Sequence, residues 1–278
     1  MKILLANDDG YRAGGIHALA EIMTEFGDIC VAAPKYHQSA MSTAVSLGLK
    51  KLAFKEIYGQ GPGRWCYLDA TPASCVKFGL EYFYENRDPD LVVCGINHGS
   101  NAGAAANYSA TLGAAEEGAI NGCRSVGVSV CDFRPDADFS AVKAMLPGIL
   151  KTLLENWPDR YGLYYNINFP GIPADEIKGV RATRLGRCHW VREFIPWEDM
   201  KRLQMQKGTI NDPFFWQSSD TPLEEGETAW SMVGELINDE LNPDEADHTL
   251  NDAGYVTITP LTADYTDYKE LLRIRKFF

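Results

Sequence analysis

Short apolar runs alternate along this chain with longer stretches whose apolar residues recur three or four apart, and that alternation admits few folds. Met1-Lys2-Ile3-Leu4-Leu5-Ala6 is the first run. Ile16, Leu19, Ala20 and Met23 follow at helical spacing, and Ile29 to Ala33 form a second run closed by Pro34. The pattern returns as a helix beginning near Thr71-Pro72, a strand at Leu91 to Cys94, a helix from about Thr111 and a strand at Val126 to Val130. A helix carrying Phe139, Val142, Met145, Leu146 and Ile149 then precedes a strand at Leu163 to Ile167. Apolar strands separated by helices predict a doubly wound, Rossmann-like α/β fold, with a mostly parallel sheet, helices on both faces and right-handed crossovers.

Two stretches break the pattern. Residues 44–69 carry Gly59, Gly61, Pro62 and Gly63 between two short runs, which predicts a hairpin inserted at the sheet edge. From about residue 185, Trp190, Phe194, Trp197, Phe214, Phe215, Trp216 and Trp230 appear without clean periodicity. Residues 178–207 hold Lys178, Arg181, Arg184, Arg187, Arg192, Lys201, Arg202 and Lys207, whereas residues 222–248 hold nine acidic residues and no Lys or Arg. Such runs are ordinarily solvated faces. Beside exposed aromatics they also suit complementary pairing between subunits. The expected organisation is a core over 1–184 to which 254–262 returns, an oligomerisation extension over 185–253, and a C-terminal helix within 263–278.

A net charge of -12 argues against a nucleic-acid polymer as partner, because that affinity comes from Lys and Arg on phosphates. No stretch approaches the ~18 uninterrupted apolar residues of a membrane span, and the first run is too short for a signal-peptide core. A cytoplasmic protein is expected. Seven cysteines without a Cys-x-x-Cys pair fit reduced thiols better than a disulfide framework or a structural zinc site.

The first strand ends in Asn7-Asp8-Asp9-Gly10. Asn, Asp and Gly make turns on their own account, so the tetrapeptide alone reads equally as a turn or a site. Its partners decide. Gln38-Ser39 follows the second strand, and Gly95-Ile96-Asn97-His98-Gly99-Ser100-Asn101 follows the run ending at Cys94, so all three loops leave the same sheet edge, where α/β folds bind ligands. Carboxylate, hydroxyl and amide oxygens converging there suit Mg²⁺ or Mn²⁺. Downstream, Ser109 and Thr111 stand where a helix begins. They read either as a cap or, with Gly99 and Gly103 before them, as part of an anion pocket at the helix N-terminus. A metal beside an anion pocket points to phosphate chemistry.

These residues resemble the SurE (survival protein E) family of acid-phosphatase-like nucleotidases. The resemblance rests on Asn7-Asp8-Asp9-Gly10, Ala33-Pro34 with Gln38-Ser39, Thr71-Pro72-Ala73 with Cys75-Val76, Pro89-Asp90-Leu91-Val92 leading into Gly95-Ile96-Asn97 with Gly99 and Asn101, Tyr108-Ser109 with Thr111, and Gly254-Tyr255-Val256 with Ile258-Thr259-Pro260-Leu261. It implies one divalent metal per subunit held by Asp8, Asp9, Ser39 and Asn97. Phosphate would be bound near Asn7, Gly99, Asn101, Ser109 and Thr111, in a homodimer or homotetramer with C-terminal exchange. The implied reaction is hydrolysis of nucleoside 5′- or 3′-monophosphates, with Asp8 and Asp9 as the catalytic carboxylates and Asp8 orienting the water. His98 is the candidate acid for the leaving oxygen.

Where the family usually has Gly, this chain has Ala40 after Ser39 and Ala110 between Ser109 and Thr111, and Ala70 and Ser74 replace Gly and Asp around Thr71-Pro72. If those positions need positive φ, each Ala costs about 1–2 kcal/mol. A second expectation is therefore a catalytically weak nucleotide-binding or sensing protein that keeps the pocket. A nicotinamide dinucleotide enzyme is disfavoured, since the first strand leads into Asp-Asp-Gly and not a Gly-x-Gly-x-x-Gly turn.

Overall fold

Ile3 to Ala6 are wholly buried, as a run apolar on both faces requires, and they lie in β1 (Lys2–Ala6). The chain continues through α1 (Gly14–Met23), β2 (Asp28–Pro34), β3 (Phe54–Ile57), β4 (Arg64–Leu68), α2 (Pro72–Phe83), β5 (Leu91–His98), α3 (Ala110–Ile120), β6 (Ser125–Val130), α4 (Ser140–Glu155), β7 (Leu163–Phe169) and β8 (Val180–Ala182). Then come β9 (Cys188–Val191), β10 (Phe194–Pro196), β11 (Trp230–Met232), β12 (Glu235–Asn238), α5 (Asp247–Asp252), β13 (Val256–Thr262) and α6 (Tyr268–Ile274). This computed structural model describes residues 1–134, 136–200 and 222–278; Phe214, Phe215, Trp216, Lys201, Arg202 and Lys207, singled out in the sequence, lie outside them.

Among the described residues one nine-stranded sheet runs in the order β3-β4-β2-β1-β5-β6-β7-β13-β8. From β4 to β7 every neighbouring pair is parallel. β3 is antiparallel to β4, which makes the expected hairpin at the edge, and β13 returns antiparallel to β7. Alternation along β1 divides the core: Ile3 and Leu5 pack with Ile16 and Leu19 of α1 and Val142 and Leu146 of α4, while Leu4 and Ala6 pack with Val76 and Leu80 of α2 and Leu112 of α3. The strand order reverses between β1 and β5, and the crevice at that switch point is where an open α/β sheet receives a ligand.

The segment after β8 is not more sheet. β9 pairs with β12 and β10 with β11, both antiparallel, giving one two-stranded arm. Across it Arg192 of the basic stretch pairs with Glu235 of the acidic one, so some of the segregated charge is matched within the chain. No helix among the described residues is long and apolar enough to cross a membrane.

Candidate active site

Asp8 and Asp9 lie in the bend that follows Asn7 at the end of β1, where both carboxylates sit at the carboxyl edge of the sheet with different neighbours. Asp8 turns to the face of Leu4 and Ala6, where the Thr111 hydroxyl donates to its Oδ1 at 2.5 Å. Asp9 is flanked by two imidazoles. His37 Nδ1 lies 3.2 Å from its Oδ1 and His98 Nδ1 lies 3.0 Å from its Oδ2. Both carboxylates are almost completely buried.

The different settings give them different acidities. Burial first, and then the Asp9 charge, push the Asp8 carboxyl up to about 7, against the Thr111 hydrogen bond, which lowers it. Burial also raises Asp9, but hydrogen bonds from His37 and His98 outweigh it and hold Asp9 below the ordinary aspartate value. Burial lowers His37, yet its bond to Asp9 and the charges of both aspartates leave it raised.

Two loops complete the crevice. The Gln38 N–H donates to the Asp8 carbonyl at 2.7 Å, and Ser42 is anchored by N–H to Tyr108 O at 3.1 Å and by hydroxyl to Asn107 O at 3.0 Å. Ser39 is thereby strung between β1 and the start of α3. The fit to α3 is close, because a Cβ on Gly113 would stand 2.0 Å from the Ser42 carbonyl oxygen. Between these anchors Ala40 sits at φ 60, in the left-handed region where the family has Gly. Ala110 and Ala70 are not in that region: Ala110 is the first residue of α3, behind the Ser109 cap whose Oγ accepts from Leu112 N at 3.1 Å. Ser74 instead bonds Thr71 Oγ1 at 2.9 Å and receives Ser46 N at 2.8 Å.

At the end of β5, Asn97 donates to the Gly99 carbonyl at 2.7 Å. Asn101 is fixed by a buried amide network: its N–H reaches Asn168 Oδ1 at 2.8 Å, its Nδ2 reaches Ser129 Oγ at 2.9 Å, and its carbonyl receives Asn166 Nδ2 at 2.9 Å. Asn166 and Asn168 were not anticipated. Their signal was two amides at alternate positions of an otherwise apolar strand.

These elements enclose a cavity of about 430 Å³ lined by Asp8, Ser39, Asn97, Asn101 and Ser109, with Ala40, Ala105 and Tyr108 beside them and Trp190, Glu193, Met232 and Val233 of the arm opposite. Of the ten residues singled out in the sequence, Asn7, Asp9, His98, Gly99 and Thr111 do not line it. Thr111 holds Asp8, and the Asn7 amide donates to Gly10 O at 2.9 Å. Gly99, at φ 105, lies under the Phe133 ring, where a Cβ would come within 2.3 Å. His98, expected as an acid, lies beside the carboxylate pair and does not itself line the cavity. It follows Asn97 and packs against Asp9 and edge-on to Phe139, with ring centroids 5.3 Å apart.

Asp247, fully buried and also unanticipated, joins cavity and arm. Its oxygens accept from Gly103 N at 3.0 and 3.1 Å and from Gly186 N at 2.9 Å. The loop that carries Asn101 and Ser109 and the base of the arm thus end on one carboxylate.

The donors suit a hard cation. Asp8, Ser39 and Asn97 offer carboxylate, hydroxyl and amide oxygens to one cavity, and a buried carboxylate whose charge is penalised is relieved by a bound cation. Close by, Asn7 Oδ1 is buried without a hydrogen-bond partner among the described residues.

The family model described as survival protein SurE matches residues 3–192. The 5′-nucleotidase SurE of Cytophaga hutchinsonii is 33% identical over 276 residues, covering 99% of this chain and 95% of that protein. Its counterpart from Petrotoga mobilis is 34% identical over 273 residues, covering 96% and 95%. The crystal structure of the SurE protein from Aquifex aeolicus, 29% identical, superposes with a TM-score of 0.75 over 99% of this chain and 98% of that one.

Proposed function

The chain belongs to the SurE family, and from that membership we propose that it is a metal-dependent phosphomonoester hydrolase that converts nucleoside 5′- or 3′-monophosphates to nucleoside and phosphate. The observation that carries this reading is the convergence of Asp8, Ser39 and Asn97 on one cavity beside the Ser109-capped start of α3. Asp8, Ser39 and Asn97, with Asp9, would hold one Mg²⁺ or Mn²⁺ ion. That ion supplies charge neutralisation and Lewis-acid polarisation of the phosphoryl group.

The chain's own groups do the rest. Ionised Asp8, aimed by Thr111, accepts a proton from the attacking water as the water oxygen bonds to phosphorus. The phosphorus–oxygen bond to the nucleoside breaks, and the nucleoside oxygen leaves as a hydroxyl by taking up that proton. Ser109 and the N–H groups opening α3 face the charge that develops on the phosphoryl oxygens. His37 and His98 act on Asp9, keeping that carboxylate ionised and fixed. The same reading takes residues 1–184 with 254–262 as the hydrolase core, residues 185–253 as an arm that walls the site and joins subunits, and 263–278 as a terminal helix. A homodimer or homotetramer in the cytoplasm follows from it.

Phosphate release from a panel of nucleoside monophosphates, with Mg²⁺, Mn²⁺ or chelator and beside Asp8→Asn, tests the proposal. Metal-dependent release lost in the variant is expected. Full activity in chelator or in the variant would sink it, and nucleotide binding with metal but no release would favour the sensing alternative.

A further inference from the structure

The cavity has two chemically different ends. Asp8, Ser39, Asn97 and Ser109 make a polar end at the sheet, while Trp190 and Met232 of the arm, with Tyr108, make an aromatic and apolar wall. One charged group stands in that wall, Glu193. Its carbonyl receives Val233 N at 2.7 Å, which fixes its backbone across the arm. Its carboxylate makes no hydrogen bond or ion pair among the described residues, and the neighbouring cation, Arg192, is committed to Glu235. A half-buried carboxylate beside aromatic rings, in a cavity large enough for a nucleoside, awaits donors.

Resting on the hydrolase reading above, we infer that the arm end of the cavity is a base subsite that selects guanine through Glu193. Electrostatics orient the ligand, because Glu193 repels phosphate while at the Asp8 and Ser109 end the divalent cation of the hydrolase reading would offset the carboxylate charge and attract it. The uncharged base then meets the arm. A carboxylate offers two acceptors side by side and no donor. Guanine presents the matching edge, the N1–H next to the 2-amino group. Hypoxanthine keeps only N1–H; adenine and cytosine set an amino group beside a ring-nitrogen acceptor, and uracil sets one N–H between two carbonyls. Each of these leaves an oxygen of Glu193 unmatched or facing a lone pair, the situation in which polar sites discriminate most.

The test is kcat/KM for GMP, IMP, AMP, CMP and UMP with saturating metal, for the unmodified protein, Glu193→Gln and Glu193→Ala. GMP is expected to exceed AMP by about tenfold or more, with IMP between them. Glu193→Gln places a donor beside an acceptor and so complements adenine, and it should lower the GMP to AMP ratio to about one or below; Glu193→Ala should flatten the series. A merely structural role would reduce all five substrates together. Equal rates on all bases, or an unchanged ratio in Glu193→Gln, overturns the subsite. If no nucleotide releases phosphate, the hydrolase reading fails separately, and quenching of tryptophan fluorescence by guanosine and adenosine still decides: tighter guanosine, reversed by Glu193→Gln, sustains the subsite, and equal quenching overturns it.

Discussion

Replacing Asp8 with Asn separates what that carboxylate does for catalysis from what it does to the fold. In the metal-free protein, burial and the Asp9 charge lift its carboxyl from the ordinary 3.8 to about 7. A group raised on folding contributes most stability below its unfolded value, and the contribution is lost as pH rises through the folded one. At 1.36 kcal/mol per pH unit, ionising Asp8 costs about 4 kcal/mol between pH 4 and pH 8. Asn has the same shape, keeps an oxygen for the Thr111 hydroxyl and carries no charge. In chelator Asp8→Asn should therefore be more stable than the parent by about 4 kcal/mol at pH 8 and by under about 1 kcal/mol at pH 4. For a chain of this length 1 kcal/mol moves Tm by about 2 °C, so thermal melting at pH 8 should separate the two by about 8 °C. Metal at about 100 times its Kd should raise the parent by about 2.7 kcal/mol and leave the variant unmoved, while the variant's phosphate release falls at least about a hundredfold. A variant that melts at or below the parent at pH 8 in chelator refutes the electrostatic reasoning. One that gains stability from metal as the parent does refutes the ligand assignment.

Thr111→Val removes the donor at 2.5 Å from Asp8 and keeps the shape, so kcat/KM should fall about 10- to 100-fold. Because that hydrogen bond favours the ionised form, the acid limb of the kcat/KM profile should also move to higher pH. Ala40→Gly relieves a left-handed residue and should raise stability in urea by about 0.5–1 kcal/mol with activity retained. Gly113→Ala places a Cβ 2.0 Å from the Ser42 carbonyl and should cost about 1–3 kcal/mol and much of the activity, since the Ser39 loop must lift off α3; an unchanged melt would contradict that contact.

The centre of the sheet was legible because strands buried on both faces read as largely apolar runs, as the stretches within β1, β2 and β5 do, with β6 and β7 broken only by Ser129 and by Asn166 and Asn168. The direction of β13 was not, since Tyr255 to Ile258 looks the same whichever way it runs beside β7. Ser39 and Asn97 were found because each ends or follows a strand. The arm's share in the cavity left no trace. Trp190, Glu193, Met232 and Val233 come to share a cavity with Asp8 only through the folding together of distant segments, which no local periodicity records.

Asp247 gives this architecture a point of division. On one side of it lie the loop and sheet edge that line the polar end of the cavity; on the other lies an arm whose Trp190, Glu193 and Met232 line the opposite wall. Both are tied to one buried carboxylate, and Cys188 Sγ at the base of the arm accepts from Ala104 N at 2.9 Å, so the residues free to be exchanged during evolution without retuning the hydrolytic floor are those further out on the arm. New substrate ranges are then open to a lineage by point changes in the arm, while loss of Asp247 would remove floor and wall together.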